Sequence, residues 1–115
     1  MEDRIAKELF EKYSKDCTFM SVSDKGEILN SKQLKVSFVA FDKDGNIVIM
    51  WYDDTDYVFH HAFLNKVQSA WTRTIDGVFN SKDIASAAAK EHFTRLKQKR
   101  ISALEVEIER LKSEE

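Results

Sequence analysis

Proline is absent from this sequence, glycine occurs only three times in 115 residues, and Cys17 is the single cysteine. A lone cysteine excludes an intramolecular disulfide framework and a cysteine-rich zinc site, and it is consistent with a reducing compartment. No stretch approaches the ~18 apolar residues of a membrane-spanning helix, and the first residues lack the basic and then apolar regions of a signal peptide. We therefore expect a cytoplasmic protein with no membrane segment.

A strong net charge is also missing, because 18 basic residues almost balance 20 acidic ones and leave a formal charge of −2. The field of the whole molecule therefore does not steer it towards nucleic acid or acidic membranes, and only local patches could do so. What the sequence does contain is core material, since 43% of its residues are hydrophobic and 11% are aromatic. This length and composition fit one small domain.

The spacing of apolar residues predicts an N-terminal helix followed by an antiparallel sheet. Residues 2–14 repeat apolar side chains at i, i+4 and i+8, as one face of an amphipathic helix does. Residues 17–22 and 34–41 are short runs rich in Val, Phe and Thr, and each leads into a turn that contains glycine. Residues 47–52 are apolar on both alternating faces, which indicates a central strand covered on both sides. Residues 57–62 follow as the last strand of a meander.

A return to helical spacing predicts a second helix after the sheet, over residues 63–75. Gly77 then stands where a helix commonly ends in a left-handed C-cap glycine. The apolar stripe of this predicted helix consists of Leu64, Val67, Trp71 and Ile75.

From Ser81 onwards neither glycine nor proline interrupts a run of good helix formers, which predicts one helix of about 50 Å. The predicted fold is therefore α+β: a small antiparallel β-meander of three to four strands, an N-terminal helix, a second helix after the sheet and a long C-terminal helix. We divide the chain into an α+β head, residues 1–80, and a C-terminal long helix, residues 81–115, that acts as a dimerisation or packing element.

Apolar residues spaced 3, 4 and 3 apart give the C-terminal helix a short coiled-coil-like seam of fewer than two heptads. Burying this seam against a second helix would supply the affinity of a homodimer, and folding back on the head is the alternative. The predicted dimer interface consists of Ile101, Leu104, Ile108 and Leu111 in the seam, with Phe93 and Leu96 flanking it.

Charge reverses along the same helix. Residues 90–100 carry five basic side chains against Glu91, a net of +4, whereas residues 101–115 carry five glutamates against two basic side chains, a net of −3. Two copies laid antiparallel would oppose unlike blocks, and two copies laid parallel would oppose like blocks. The sequence leaves the orientation open, as well as whether the partner helix belongs to the same chain type.

Residues that could carry chemistry are sparse. His60 and His61 follow an acidic hairpin tip, but adjacent residues on a strand point to opposite faces, so both imidazoles cannot easily reach one metal ion. We expect one buried and one exposed histidine there, with no metal and no cofactor. The sequence has no Gly-rich phosphate loop, no serine nucleophile elbow and no zinc-ligand spacing. These absences predict that the protein is not an enzyme.

The predicted function is that of a non-enzymatic protein-binding module that dimerises through its C-terminal helix. In profile the chain resembles small phage or mobile-element accessory proteins, and this resemblance implies an inhibitor or modulator of one host enzyme. The predicted contacts with the protein target lie on the acidic tip and on the basic stretch of the long helix. They are Asp53, Asp54, Asp56, Arg95, Lys97, Lys99 and Arg100.

The alternative prediction is a single-stranded nucleic-acid-binding accessory protein. Aromatic side chains on the sheet would stack on bases, and the basic 90–100 segment would contact phosphates. The aromatic residues concerned are Phe38, Phe41, Trp51, Tyr52, Tyr57 and Phe59. The balanced overall charge argues against this function, because a basic footprint is its usual first sign.

Overall fold

The computed structural model describes the backbone of residues 2–113 and the side chains of residues 4–113. Within these residues the chain forms two helices and seven strands. In chain order they are α1 (Glu2–Tyr13), β1 (Thr18–Ser23), β2 (Ile28–Gln33), β3 (Val36–Phe41), β4 (Ile47–Asp53), β5 (Val58–Phe63), β6 (Lys66–Ala70), β7 (Thr74–Phe79) and α2 (Lys82–Ser113). The α+β class, the N-terminal helix and the long C-terminal helix are confirmed.

The strands form two antiparallel sheets, one in the order β2-β1-β7-β6 and one in the order β3-β4-β5. The chain passes between the sheets at two corners, after β2 and after β5. At the second corner Leu64 N donates to Ile47 O (2.8 Å) in the three-stranded sheet, and Asn65 N donates to Val78 O (2.8 Å) in the four-stranded sheet. Asn65 turns the chain with a φ of 62°, a conformation in which asparagine is enriched. Backbone pairing therefore continues around the corner and joins the two sheets.

Two apolar clusters lie on opposite faces of the four-stranded sheet. The inner cluster fills the space between the sheets, and the outer cluster lies between the four-stranded sheet and the first part of α2. β7 contributes to both, since Val78 faces the inner cluster while Ile75 and Phe79 face the outer one. The layers therefore run in the order three-stranded sheet, inner cluster, four-stranded sheet, α2. The buried members of the inner cluster are Cys17, Leu34, Val39, Ile49, Trp51, Ala62, Leu64 and Val78, and those of the outer cluster are Met20, Val22, Ile75, Phe79, Ala85 and Ala89.

β4 is the central strand of the three-stranded sheet, but it is covered on one face only. Its inward side chains Ile49 and Trp51 are buried in the inner cluster, whereas Tyr52 on the other face is exposed and Val48 and Met50 are half-buried. The prediction that this strand is covered on both sides is therefore wrong for the single chain. The reason is that α2 packs on the other sheet, so that β7 is the strand buried on both faces.

The predicted helix over residues 63–75 is wrong, because this segment forms β6, a turn and the start of β7. Its apolar residues have helical spacing in the sequence although they lie on two different strands. Trp71 N donates to Thr74 O (2.8 Å) and closes the turn between these strands. Gly77 is not a helix cap but lies within β7, where a Cβ atom would come 2.6 Å from the Lys66 carbonyl oxygen of β6. Pairing of β7 with β1 and β6 outweighs the local pattern. The single meander of three to four strands thus becomes two sheets.

α2 starts on the head and continues beyond it. The Ser81 hydroxyl accepts hydrogen bonds from the backbone N–H groups of Asp83 (3.1 Å) and Ile84 (3.4 Å), which caps the helix. Ala85 and Ala89 are fully buried against the four-stranded sheet, but every side chain from residue 97 to 113 is exposed. A helix of 32 residues is about 48 Å long, and the molecule measures 67 Å along its longest axis against 33 and 27 Å. Within residues 2–113, no helix has both the length and the hydropathy that crossing a membrane requires.

Candidate interaction surfaces

The distal segment of α2, residues 97–113, carries four of the six predicted dimer-interface residues in one exposed row. Their exposed fractions are 45% for Ile101, 59% for Leu104, 51% for Ile108 and 55% for Leu111. Val106, 68% exposed, lies on the opposite side of the helix. The distal segment therefore presents an apolar stripe that the rest of the described chain leaves uncovered.

The other two predicted interface residues are close to the head. Phe93 packs against the outer cluster beside Ala89, and Leu96 is half-buried. On a helical wheel of about 100° per residue, the seam lies about a quarter turn away from this head-facing stripe. A second helix could thus approach the seam without displacing the head, and a role of Phe93 and Leu96 in a dimer stays a prediction.

The predicted basic stretch divides between a cleft and the open helix surface. Lys97 and Arg100 line a cleft of about 710 Å³ between α2 and the turns of the β1–β2 and β6–β7 hairpins. The two turns meet through a hydrogen bond that Asp24 N donates to Arg73 O (2.9 Å). Arg95 points elsewhere and pairs with Glu91 one turn earlier. Asp24 is the acidic residue of the cleft lining. The cationic residues of the lining are Lys25, Arg73, Lys90, Lys97 and Arg100.

The basic cleft was not predicted as a unit. Lys25 and Arg73 belong to turns that are distant in sequence, and Lys90 follows the buried Ala89 on α2. Only the packing of the two hairpin turns beside α2 brings these cations together. Lys99, the remaining predicted contact, is exposed and is not part of the cleft lining.

The acidic tip is organised by its own turn. The Asp53 carboxylate accepts a hydrogen bond from Thr55 N (2.8 Å), and this bond is the main reason why the pKa of Asp53 is held below its ordinary value. Asp56 lies 2.8 Å from His60 Nε2, and the His60 ring stacks on Trp51 with centroids 5.7 Å apart. Asp54 is exposed and does not join this cluster.

Asp53, Asp56 and His60 bring possible metal-ligand atoms within 4.8 Å of one another. Each of these groups already has a partner within the protein: Thr55 and Lys32 for Asp53, and His60 for Asp56. The arrangement is therefore explained by hairpin-turn chemistry without an ion. Of the two adjacent histidines, His60 is half-buried and His61 is exposed on the other face of β5.

The outward side of the three-stranded sheet is an uncovered surface that contains three of the predicted stacking residues, Phe38, Tyr52 and Phe59. Cross-strand pairing places Phe38, Met50 and His61 in one row, Ala40, Val48 and Phe63 in the next, and Tyr52 beside Phe59 at the end. We call these eight residues the outer sheet face. Phe59 is 60% exposed and Phe38 is 49% exposed. Seven of the eight side chains are apolar or aromatic, and contiguous apolar surfaces of this kind mark interaction sites.

The structure separates the two halves of the predicted nucleic-acid site. Phe38, Tyr52 and Phe59 lie on the outer sheet face, but Trp51 is buried in the inner cluster. The basic 90–100 segment lies on α2, beyond the four-stranded sheet and on the opposite side of the molecule from the outer sheet face. Aromatic stacking and phosphate contacts from these two sets of residues therefore cannot act together on one short strand.

Comparison of the chain with protein-family models, with curated proteins and with solved structures gives no match.

Proposed function

We propose that the protein is a non-enzymatic protein-binding module that self-associates through the distal segment of α2 and binds a protein target with its head. The observation that carries this proposal is the apolar seam from Ile101 to Leu111, which is exposed along its whole length. An exposed apolar stripe on a helix is stabilised when it is buried against a partner helix. The unbroken helix from Lys82 to Ser113 holds the seam in a straight row that such a partner can cover.

The size of the seam predicts a weak dimer. Complete burial of a Leu or Ile side chain is worth about 1.5–3 kcal/mol, so the exposed half of each seam residue contributes about 0.7–1.5 kcal/mol. Eight such side chains in a dimer give about 6–12 kcal/mol, while association costs about 4–15 kcal/mol. The most favourable combination leaves about 8 kcal/mol, which corresponds to a dissociation constant of about a micromolar, and every other combination gives a weaker dimer. We therefore propose a dimer that forms in a concentration-dependent manner.

The head supplies the contact with the target through the outer sheet face. β4 has apolar side chains on both of its faces, a composition typical of strands that are covered on both sides, yet only one face is covered within the chain. The acidic tip lies at the end of the same sheet, but its Asp53 is on the side of Trp51 and Lys32, opposite to the outer sheet face. We propose a target surface in which apolar side chains fit the outer sheet face and a basic group meets the acidic tip. The basic cleft is proposed to accept acidic groups of the same target through Lys97 and the hairpin-turn cations Lys25 and Arg73.

The role of a small accessory or inhibitor protein in the cytoplasm is part of the proposal. It rests on the resemblance of general type to small accessory proteins and on the buried free thiol of Cys17, which fits a reducing compartment. Single-stranded nucleic-acid binding is the second candidate, favoured by the exposed aromatic rings of Phe38, Tyr52 and Phe59. Anisotropy titrations of labelled single-stranded DNA and RNA at two salt concentrations separate the candidates. Salt-dependent binding would favour the second, and no binding is expected.

Sedimentation equilibrium over a concentration series from about 10 μM to about 1 mM tests the self-association. We expect the mass of the wild-type protein to rise from one chain towards two, and the Leu104→Glu/Ile108→Glu variant to remain a monomer. Val106→Glu is the control, because it places a glutamate on the opposite side of the same helix. A wild-type protein that stays a monomer at all concentrations, or a seam variant that dimerises like Val106→Glu, would contradict the proposal.

A further inference from the structure

We infer that the partner of the distal segment is a second copy of the same chain in parallel orientation, forming a two-stranded coiled coil. This inference rests on the proposed self-association and adds its partner, orientation and register. In the heptad notation abcdefg, the seam assigns Ile101 and Ile108 to the a positions and Leu104 and Leu111 to the d positions. β-branched residues at a combined with leucine at d favour parallel two-stranded coiled coils over trimers and tetramers.

The charged residues that flank the seam also select the parallel orientation. With this register Arg100 and Glu107 occupy g positions, and Glu105 and Lys112 occupy e positions. In a parallel pair, each g residue lies beside the e residue five positions later in the other copy. Arg100 then meets Glu105 of the second copy, and Glu107 meets Lys112 of the second copy. Twofold symmetry repeats both contacts, so all four flanking contacts join opposite charges.

These four charged side chains are free to make such contacts. All of them are exposed in the single chain. The salt bridges found among residues 4–113 join Arg4 to Glu8, Lys32 to Asp53, His60 to Asp56 and Arg95 to Glu91, and none uses a residue of the distal segment. Pairing with a second copy would therefore not break an existing ion pair.

An antiparallel pair with the seams aligned is disfavoured by the same residues. In that orientation e positions meet e positions and g positions meet g positions, so Glu105 faces Glu105 and Glu107 faces Glu107 of the second copy. The antiparallel helices can instead be shifted until residues 90–100 of one copy lie opposite residues 101–115 of the other, which removes this repulsion. This shift places Leu104 of one copy opposite Lys99 of the other, and Ile108 opposite Arg95. The apolar seam would then lose its partner, so the attraction between whole blocks does not decide the orientation.

A parallel pair has a consequence for the heads. Both heads lie at the same end of the coiled coil, at the N-terminal ends of the two α2 helices. Each outer sheet face is on the side of its head away from α2, so both remain uncovered. Two copies would therefore present two target-binding faces, and a target with two binding sites would gain avidity from the pair.

Charge exchange between Arg100 and Glu105 tests the pairing. Arg100→Glu and Glu105→Arg each create two like-charge contacts in a parallel dimer, and we expect each to raise the dissociation constant about tenfold. The double variant Arg100→Glu/Glu105→Arg restores opposite charges at both contacts, so its dissociation constant should return to the wild-type value. An antiparallel dimer gains no such rescue, because two arginines at position 105 would face each other. Failure of the double variant to recover would overturn the parallel register.

Cysteine cross-linking gives an independent measurement of orientation. Leu111→Cys alone should form a disulfide-linked dimer in a glutathione redox buffer, and so should Ile101→Cys alone, because identical d or a positions meet in a parallel pair. The wild-type protein is the control, since its one thiol, Cys17, is fully buried. Cross-linking only in the mixture of the two variants would establish the antiparallel orientation and overturn this inference while leaving self-association intact. Absence of all cross-links together with a monomeric mass would overturn both proposals, and a mass of three chains would overturn the two-stranded assignment.

Discussion

The one-sided covering of the three-stranded sheet predicts that substitutions on its two sides have very different effects on stability. Ile49 is fully buried between the sheets, where it lies opposite Val39 on one neighbouring strand and Ala62 on the other. Phe59 lies on the outer sheet face next to Tyr52 and is 60% exposed. Truncation of both to alanine compares an inward side chain with an outward one in the same sheet.

The expected magnitudes differ by a factor of about four. Ile49→Ala removes a side chain from a closed core and leaves a cavity, which costs about 2–5 kcal/mol. Phe59 hides about 40% of its surface, so Phe59→Ala forfeits about 0.6–1.2 kcal/mol out of the about 1.5–3 kcal/mol for complete burial of a phenylalanine. The larger side chain is therefore expected to be the less important one for folding.

Urea unfolding followed by circular dichroism measures both values, and an unchanged m-value checks that the unfolding transition is comparable between variants. The measurement is made at low micromolar concentration, where the weak dimer contributes little. A loss for Phe59→Ala as large as that for Ile49→Ala would show that the outer sheet face is covered in the isolated chain. The proposal of a free target-binding face would then fail.

Two further predictions concern the core. Gly77→Ala should destabilise the protein by about 1–3 kcal/mol in the same urea assay, because the new Cβ would lie 2.6 Å from the Lys66 carbonyl oxygen. Unchanged stability would contradict the close approach of β6 and β7. Burial, with a smaller contribution from Asp16, raises the pKa of the Cys17 thiol from 9.0 to about 11. As the pH rises, the thiol therefore ionises in the unfolded chain before it does so in the folded one. The stability that the buried thiol contributes below pH 9.0 is lost as the pH rises towards 11. The stability advantage of the wild-type protein over Cys17→Ala should therefore shrink between about pH 8 and about pH 10.5, and a constant difference would contradict the burial of the thiol.

The local spacing of apolar residues was enough to predict those helices and strands for which tertiary contacts favour the same structure as the local sequence. The strands around residues 17–22, 34–41, 47–52 and 57–62 correspond to β1, β3, β4 and β5, and the glycine-containing turns after the first two are where the sequence predicts them. α2 was equally predictable, because nothing between Ser81 and Ser113 interrupts it.

The segment from Leu64 to Phe79 was predicted wrongly because long-range contacts decide its structure. Leu64, Val67, Trp71 and Ile75 have helical spacing, and nothing local opposes a helix strongly. The strand is stabilised by pairing with β1, for example Ile75 with Val22. Alternation over Thr74–Phe79, with two β-branched residues before Gly77, was the signal that could have indicated β7.

The candidate interaction surfaces also divide into those that one element of the sequence predicts and those that depend on tertiary contacts. The exposed apolar row of the distal segment was predictable, because its residues share one helix face and need no tertiary information. That this row is a coiled-coil seam stays a prediction. The basic cleft depends on two hairpin turns meeting beside α2, which Lys25 and Arg73 do not reveal in sequence. The outer sheet face was visible as the second apolar side of β4, but whether that side is covered depends on where α2 packs.

The central claim is that the distal segment is covered by a second copy, and hydrogen exchange measured as a function of protein concentration tests it most directly. In a monomer, the amides of residues 97–113 belong to an exposed helical extension with no tertiary packing and should exchange rapidly. We predict that their exchange slows as concentration rises from about 10 μM to about 1 mM, while exchange in β1, β4 and β7 stays constant. Exchange in the distal segment that is independent of concentration would contradict the claim.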